Sequence, residues 1–243
     1  MLGMNAGLSG YHRPESILAN KKSILFDGVN DYVDGSSVVD NLSTVVGTFA
    51  VWVKLTTGSN NDGIWMISIG TATANKIGVL HNTGSDVIRF LYKGDNTAVN
   101  ADYSITEASL ISAGWTHIAG TWDAGSANEI KLYINGSLVD TTESLTDFEG
   151  TPDRSILGKS ANADNTYWAG YLDEFALWNR VQPAAKIAEI YNGGVPRDLT
   201  EGFSSGLIQW LRFEEASGTV ADYSDNSNTA TVSGATQNQS ETP

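Results

Sequence analysis

The sequence predicts an all-β protein of short antiparallel strands, and three observations support this prediction. Ile118, Gly120 and Trp122 alternate with residues of a different character, the period of two that is typical of a strand with two distinct faces. A second alternating run, residues 130–134, ends directly at Asn135-Gly136, the pair that favours a type I′ hairpin turn because both central residues need a positive φ. The third observation is the composition: 25 glycines, with abundant Thr, Ser, Asn and Asp, suit many short strands joined by turns.

Three sequence blocks resemble the laminin-G-like and pentraxin-like domains of the concanavalin-A-like lectin/glucanase superfamily. The first is W-T-H-I-A-G-T-W-D at 115–123, followed by L-Y-I-N-G at 132–136. The others are F-D-G-V-N-D-Y-V at 26–33 and G-Y-L-D-E-F-A-L-W-N at 170–179. They occur in the family's usual order over roughly residues 23–192. The resemblance implies a two-sheet antiparallel jelly-roll β-sandwich, although one such fold hosts many functions.

The remaining strands follow from the same periodicity. We expect a first strand and turn at 23–33 and further strands at 48–55, 64–69, 76–80, 86–92 and 168–178, separated by polar loops at 58–63, 70–75 and 94–96. Loops on a rigid sandwich are where binding residues usually lie. One short helix is predicted near 183–191, with Pro183 at its first position and Gly193-Gly194 at its end.

Three segments are predicted along the chain. Residues 1–22 form an N-terminal arm, either a floppy leader or an arm that orders against a neighbouring subunit. Residues 23–195 form the sandwich. Residues 196–243 contain a W-x-R-F-x-E block and a D-x-S-x-N block that precede the F-D-G strand in the family but come last here. We predict a permuted strand pair that completes the same sandwich; a truncated second domain and a segment donated to a neighbour are the alternatives.

The charge of the chain excludes several partners. A net charge of −14 argues against nucleic acid, whose phosphates would be repelled. No run approaches the length of a membrane span, and the N-terminus is a poor signal peptide, so we expect a soluble protein that does not use the ordinary secretory route. The absence of cysteine excludes disulfides, thiolate ligands and a thiol nucleophile.

Catalysis is not predicted. The E-x-D-x-x-E strand of the superfamily's glucanases is absent, and Asp173 and Glu174 are neighbours whose side chains should point to opposite faces of a strand. The G-x-S-x-G match at 202–206 lies between a loop and a strand rather than in a nucleophile elbow. The G-K-S at 158–160 lacks the first P-loop glycine, so it is predicted to be a turn.

A structural calcium ion is an expectation that the resemblance implies. Related domains hold Ca²⁺ between the F-D-G-x-x-D turn and the aspartate of the later G-x-[IL]-D-E strand, which maps onto Asp27, Gly28, Asp31 and Asp173. These carboxylates and a backbone carbonyl are oxygen ligands of the kind that Ca²⁺ prefers. The alternative is that Asp27-Gly28 only makes a turn and that Asp173 caps a strand.

Sugar binding would use exposed aromatic side chains near polar loops, although most aromatic residues of such a sandwich are core. The sequence candidates are Trp65, Tyr92, Tyr103, Tyr167 and Trp168.

These features predict a non-enzymatic structural or adhesion module. The 26–33 block, the late W-x-R-F-x-E block and the ending Thr242-Pro243 resemble laminin-G-like proteins of tailed phages. We therefore expect display on the exterior of a virion after synthesis in the host cytoplasm, as a capsid decoration, head-fibre or tail-associated protein. The expected partners are other virion proteins, a second copy of the chain and host-surface glycans. The alternatives are a free bacterial carbohydrate-binding module and a glycoside hydrolase.

Overall fold

The computed structural model describes residues 19–58, 62–71, 74–95, 97–160 and 166–243. The predicted N-terminal arm therefore lies outside the described residues up to position 18, as do parts of the predicted loops at 58–63, 70–75 and 94–96. Within the described part of the chain, no helix is long and apolar enough to cross a membrane.

Fifteen β-strands and two α-helices make up the described fold. The strands are β1 Ser23–Asp27, β2 Tyr32–Asp34, β3 Val46–Leu55, β4 Asp62–Ser68, β5 Lys76–Asn82, β6 Val87–Gly94, β7 Thr97–Ser104, β8 Thr116–Asp123, β9 Glu129–Ile134, β10 Ser137–Glu143, β11 Arg154–Leu157, β12 Ala169–Trp178, β13 Leu207–Leu211, β14 Thr231–Ser233 and β15 Thr236–Gln239. The helices are α1 Glu107–Ala113 and α2 Ala184–Tyr191, and short 3₁₀ turns span Ser36–Asn41 and Asn192–Gly194.

The strands form two antiparallel sheets packed as a sandwich, which confirms the predicted fold class. The eight-stranded sheet has the order β10-β9-β8-β3-β12-β1-β15, with β13 also paired to β12. The seven-stranded sheet has the order β14-β2-β11-β4-β5-β6-β7. The inner faces of both sheets supply one continuous apolar core. Its centre is an aromatic cluster in which Trp65 lies within 5.1–6.4 Å of the rings of Phe49, Trp122 and Phe175.

The central hairpin has the predicted geometry. Asn135 and Gly136 have φ values of 49° and 75°, the two positive angles of a type I′ turn, and they join β9 to β10. The Asn135 side chain also accepts a hydrogen bond from the backbone of His117 at 2.9 Å. The turn therefore also fixes the start of β8.

The helices differ from the prediction in two respects. Helix α1 was not predicted; Thr106 caps it by accepting a hydrogen bond from Ser109 N, and its single buried side chain is Leu110. A helix of seven residues with one buried anchor leaves almost no periodic signal in the sequence. In α2, Pro183 is the N-cap rather than the first helical residue, and Asn192 takes the left-handed conformation that ends the helix before Gly193.

The C-terminal segment contributes strands to both sheets. Strand β13 pairs with β12 and β15 with β1 in one sheet, whereas β14 pairs with β2 in the other. Gln209 on β13 reaches across and donates to the carbonyls of Gly35 and Asn228. The segment is therefore part of the same sandwich in this structure.

The outer faces of the two sheets have different surroundings. Helix α2 and the segment that follows it cover the outer face of the eight-stranded sheet, where Trp178, Ile187, Phe203 and Trp210 belong to a second buried apolar cluster. On the outer face of the seven-stranded sheet, the corresponding buried cluster is only Met66, Leu80 and Leu91. That second face is consequently the more open of the two.

Candidate functional site

A groove of about 380 Å³ crosses the outer face of the seven-stranded sheet. Strands β5, β6 and β7 place Lys76, Arg89, Lys93 and Asn100 along it, because alternate residues of each strand point to the same face. Gly78 lies on the same strand, β5, where the neighbouring backbone approaches closely: a Cβ atom there would lie only 2.5 Å from the backbone oxygen of Trp65.

A second cavity of about 340 Å³ lies on the same outer face, over β2 and β11. Its lining includes Tyr32, Asp34, Arg154 and Lys159. The Lys159 ammonium lies 4.9 Å from the ring centroid of Tyr167 and 5.9 Å from that of Tyr32. Attraction between a cation and an aromatic face holds the three side chains together. The result is a half-buried platform with two phenol rings and one charge.

Three of the five predicted aromatic residues are buried in the core, so they are not positioned to contact a sugar. Trp65 and Trp168 are fully buried and Tyr92 is 1% exposed. Their polar atoms are used internally: Trp65 donates to Ser155 Oγ, Tyr92 donates to Thr44 O, and Trp168 donates to Tyr171 O. Alternation places these residues on a strand but does not say which face is inside, which is why the sequence could not separate them from surface aromatics.

The two remaining aromatic candidates have different positions. Tyr103 lies on β7 and packs against the core cluster. Tyr167 alone lies on the candidate face, next to Lys159. Tyr32 and Lys159 were missed by the sequence analysis. Tyr32 was assigned only to the F-D-G-V-N-D-Y-V block, and the segment that carries Lys159 was interpreted only as a turn.

The predicted metal ligands are only partly brought together. Asp27 and Asp31 share one tight turn, in which Asp27 N donates to Asp31 Oδ2 at 2.9 Å and Val29 N donates to Asp27 Oδ1 at 2.8 Å. Asp173 does not lie in this turn. Asp27 pairs with Ala169 of β12, and Asp173 is four residues beyond Ala169 on the same strand. At about 3.3 Å per residue, Asp173 is therefore about 13 Å from Asp27. The predicted set of three aspartates therefore does not form one site.

The Asp27–Asp31 turn retains features that a cation would satisfy. Asp31 is 5% exposed. Burial raises the pKa of the Asp31 carboxyl, and the adjacent charge of Asp27 contributes in the same direction. Gly28 has a φ of 77°, so its left-handed backbone makes the turn possible. Within the described residues, however, no group of three or more His, Asp or Glu side chains is arranged to hold a metal.

The prediction that Asp173 and Glu174 point to opposite faces of a strand is wrong. Glu174 has a φ of 48°, and the register of β12 against β3 shifts between Asp173 and Ala176. This β-bulge inserts one residue, so both carboxylates lie between the inward-facing residues Leu172 and Phe175 and point to the outer face. A bulge depends on the pairing of strands and leaves no periodic signal in the sequence.

The two carboxylates are buried in a hydrogen-bond network rather than open to a substrate. Asp173 accepts from Asn20 Nδ2 at 2.9 Å, and Glu174 accepts from Trp210 Nε1 at 2.6 Å and from Arg212 Nε at 3.3 Å. Asp173 is 0% exposed and Glu174 is 6% exposed. A pair of carboxylates without access to solvent is not arranged for glycoside hydrolysis, which needs both groups beside the scissile bond.

Burial controls the protonation of this pair. It raises the pKa of Glu174 to about 7, although Arg212 and Trp210 act in the opposite direction. It also raises the pKa of Asp173, and the neighbouring charge of Glu174 adds to the effect. Folding therefore shifts both groups toward their neutral forms relative to the unfolded chain.

A family model covers about two thirds of the chain. Residues 27–188 match the Laminin_G_3 family of the concanavalin A-like lectin/glucanases superfamily. One curated relative is also similar: human adhesion G-protein coupled receptor D1 is 28% identical over 109 residues, which are 42% of this chain and 12% of the receptor. The chain thus spans a small fraction of that relative's length.

Solved structures share the fold at low sequence identity. A candidate carbohydrate binding protein from Bacteroides ovatus superposes with a TM-score of 0.61 at 15% identity, over 93% of this chain and 62% of that one. Domain 4 of the arabinanase AbnA from Geobacillus stearothermophilus, solved with arabinotriose, gives 0.55 at 16% identity, over 70% and 76%. The CBM40 of a Ruminococcus gnavus sialidase, bound to α2,3-sialyllactose, gives 0.54 at 13% identity, over 70% and 97%.

The raised pKa values of the buried pair predict an unusual dependence of stability on pH. The pKa of Glu174 is about 7 in the folded protein, whereas its ordinary value is 4.5. Between these two pH values the folded state therefore binds more protons than the unfolded state. Stability should therefore fall as the pH rises through this window, by on the order of 1–3 kcal/mol. Glu174→Gln, which mimics the neutral acid, should flatten the slope in melting curves recorded from about pH 5 to pH 8.

The matched control for this substitution is Glu189→Gln, which removes an exposed carboxylate from α2. It should leave the slope unchanged. A full wild-type slope in Glu174→Gln would contradict the assignment of the pH dependence to Glu174.

Proposed function

Because this chain belongs to the Laminin_G_3 family of the concanavalin A-like lectin/glucanases superfamily, we propose that it is a non-enzymatic carbohydrate-binding module. Its glycan-binding surface is the outer face of the seven-stranded sheet. This face is the more open one, whereas α2 and the segment after it cover the outer face of the other sheet.

The observation that carries this proposal is the platform formed by Tyr32, Lys159 and Tyr167. Sugar rings have apolar C–H faces and hydroxyl groups at their edges. An aromatic ring can pack against the C–H face while neighbouring polar side chains hydrogen-bond to the hydroxyl groups. Here Tyr32 and Lys159 border a cavity that also contains Asp34 and Arg154, and the ring of Tyr167 lies 4.9 Å from the Lys159 ammonium. Such a cavity offers both apolar contact and charged hydrogen-bonding groups.

The similar solved structures support the same class of function. Two of them are named for arabinotriose and sialyllactose bound to a domain of this fold, although the identities of 13–16% show only the fold. Both domains belong to proteins named as enzymes, an arabinanase and a sialidase. The buried state of Asp173 and Glu174 favours binding over hydrolysis in this chain.

We further propose that the module is displayed on the exterior of a tailed-phage particle, with other virion proteins as partners. The support for this setting is the likeness of the 26–33 block and the late W-x-R-F-x-E block to laminin-G-like phage proteins. A free bacterial carbohydrate-binding module is the alternative.

Calcium is a separate proposal and concerns only the Asp27–Asp31 turn. Ca²⁺ takes six to eight oxygen ligands, so the two carboxylates would act with backbone carbonyls and water. A bound cation would also offset the repulsion between the two acids that contributes to the raised pKa of Asp31. Asp173 has no part in this site.

The tyrosine platform predicts a selective loss of glycan binding. Tyr32→Ala and Tyr167→Ala should each weaken binding to the best ligand of a glycan array by about tenfold or more, because each removes one aromatic contact. Isothermal titration calorimetry with that ligand measures the effect. Tyr223→Ala, which removes a partly exposed tyrosine associated with the other sheet, serves as the control. An equal loss in the control, or none in the platform variants, would contradict the assigned surface.

The virion proposal predicts that the protein co-purifies with phage particles. Mass spectrometry of particles banded on a density gradient should detect its peptides, and an antibody should label intact particles if the module is exterior. Absence from purified particles, together with glycan binding by the free protein, would favour the bacterial module instead.

The calcium proposal predicts a shift in melting temperature. About 1 mM Ca²⁺ should raise the melting temperature by a few degrees relative to a chelator, because a ligand that binds only the folded state stabilises it. Asp31→Asn should abolish the shift, whereas Asp34→Asn on the exposed side of β2 should retain it. The absence of any shift in the unaltered chain removes calcium from this turn.

A further inference from the structure

A small cavity lies on the outer face of the eight-stranded sheet, beneath the segment that follows α2. Its volume is about 10 Å³. The sheet contributes Ala50 of β3, His117 of β8 and Glu174 of β12 to its lining, and the covering segment contributes Arg197 and Leu199. All of these residues are buried except Arg197, which is half-buried. The cavity therefore lies inside the fold, on the opposite side of the sandwich from the candidate binding face.

His117 brings a buried polar atom to this cavity. It lies opposite Trp52 in the register of β8 and β3, and the two rings are 5.1 Å apart. His117 is 1% exposed, and within the described residues its Nδ1 atom is buried without a hydrogen-bond partner. Buried polar groups of folded proteins are nearly always hydrogen-bonded, to the protein or to an ordered water. Nδ1 therefore requires a partner that the described side chains do not supply.

The carboxyl of Glu174 has a complementary requirement. Trp210 Nε1 and Arg212 Nε both donate hydrogen bonds to it. Burial raises the pKa of Glu174 to about 7, so below this pH the carboxyl carries a proton that needs a separate acceptor. Burial lowers the pKa of His117 to about 3, so its imidazole is neutral and has one acceptor nitrogen. A donor and an acceptor thus line the same cavity.

The size of the cavity suits a single water molecule. A cavity needs about 10–15 Å³ to hold one water, and a buried water needs about two to four polar partners. The volume of about 10 Å³ is at the lower limit of this range, and His117 and Glu174 supply two partners. Because water both donates and accepts, it satisfies Nδ1 in either tautomer of the imidazole.

From these observations we propose that the cavity binds one water molecule, which links the carboxyl of Glu174 to Nδ1 of His117. The protonated carboxyl donates to the water, and the water donates to the imidazole nitrogen. Strand β3 lies between β8 and β12, so the water connects two strands that share no backbone ladder. This link extends the hydrogen-bond network of Glu174 to His117, whose ring lies 5.9 Å from that of Tyr191 in α2. The proposal is independent of carbohydrate binding.

The first experiment detects the water in the full chain. The protein has three histidines, so selective isotope labelling of histidine gives few ring signals in NMR spectra. We expect a cross-peak between the Hε1 proton of His117 and water, with the sign that a bound water gives, assigned by its loss in His117→Leu. A crystal structure should place the water within about 2.7–3.2 Å of Nδ1 and of a Glu174 carboxyl oxygen.

A matched pair of substitutions tests the position of the water. Ala50 and Ala119 are paired in the register of β3 and β8 and belong to the same buried apolar cluster, but of the two it is Ala50 that lines the cavity. Ala50→Val should occupy the space of the water and abolish the cross-peak. Ala119→Val should retain the cross-peak, although overpacking lowers its melting temperature as well.

Substitutions of Glu174 test the second partner. Glu174→Gln should retain the cross-peak, because a carboxamide also donates and accepts. This variant also lacks the carboxyl proton, whose exchange with solvent could imitate a bound water. Glu174→Leu removes the polar partner and should abolish the cross-peak.

The measurements on the unaltered chain decide the proposal even if a variant fails to fold. A crystal structure without a water at Nδ1 would overturn it, and so would a direct hydrogen bond between His117 and Glu174. A cross-peak that persists in Ala50→Val would also contradict it, because the water would then lie outside this cavity.

Discussion

Burial of two adjacent carboxylates in β12 is the constraint on which much of this structure depends. Charged groups removed from water destabilise a fold unless hydrogen bonds or neutralisation compensate them. Here the donors come from both ends of the described chain: Asn20 binds Asp173, and Trp210 and Arg212 bind Glu174. The same Arg212 donates to Ala19 O, and Glu214 accepts from Lys21 N and Lys22 N. The pair is thus satisfied only when the segments before β1 and after β13 are both in place.

The bulge that carries this pair also organises the eight-stranded sheet. On one edge β12 pairs with β3 along nearly its whole length. On the other edge it pairs first with β1, over residues 169–172, and then with β13, over residues 175–178. The change of partner occurs at Asp173 and Glu174. Strand β12 therefore joins β3, in the middle of the sheet, to β1 and β13 from the two ends of the chain. The bulge lies at the point where β12 changes partner from β1 to β13.

This arrangement separates the structural surface from the candidate binding surface. The outer face of the eight-stranded sheet is occupied by α2, the following segment and the carboxylate network. The outer face of the seven-stranded sheet carries the tyrosine platform and the groove. Binding residues on a rigid sandwich can vary without disturbing its core. Here the polar residues of the candidate face do not belong to the hydrogen-bond network around Asp173 and Glu174.

Local patterns in the sequence predict the fold class, the hairpin and most of the strands, but not β7 and β11. Alternation at 118–122 and Asn135-Gly136 are local signals, and local signals report backbone conformation directly. The tertiary structure decided which face of each strand is inside, and hence that Trp65, Tyr92 and Trp168 are core while Tyr167 lies on the surface. It also decided the register. Register aligned Lys76 with Lys93, set Asp173 apart from Asp27, and created the bulge that turned Asp173 and Glu174 to one face. These features depend on which strands pair and at what offset, a long-range choice that no single stretch of the chain records.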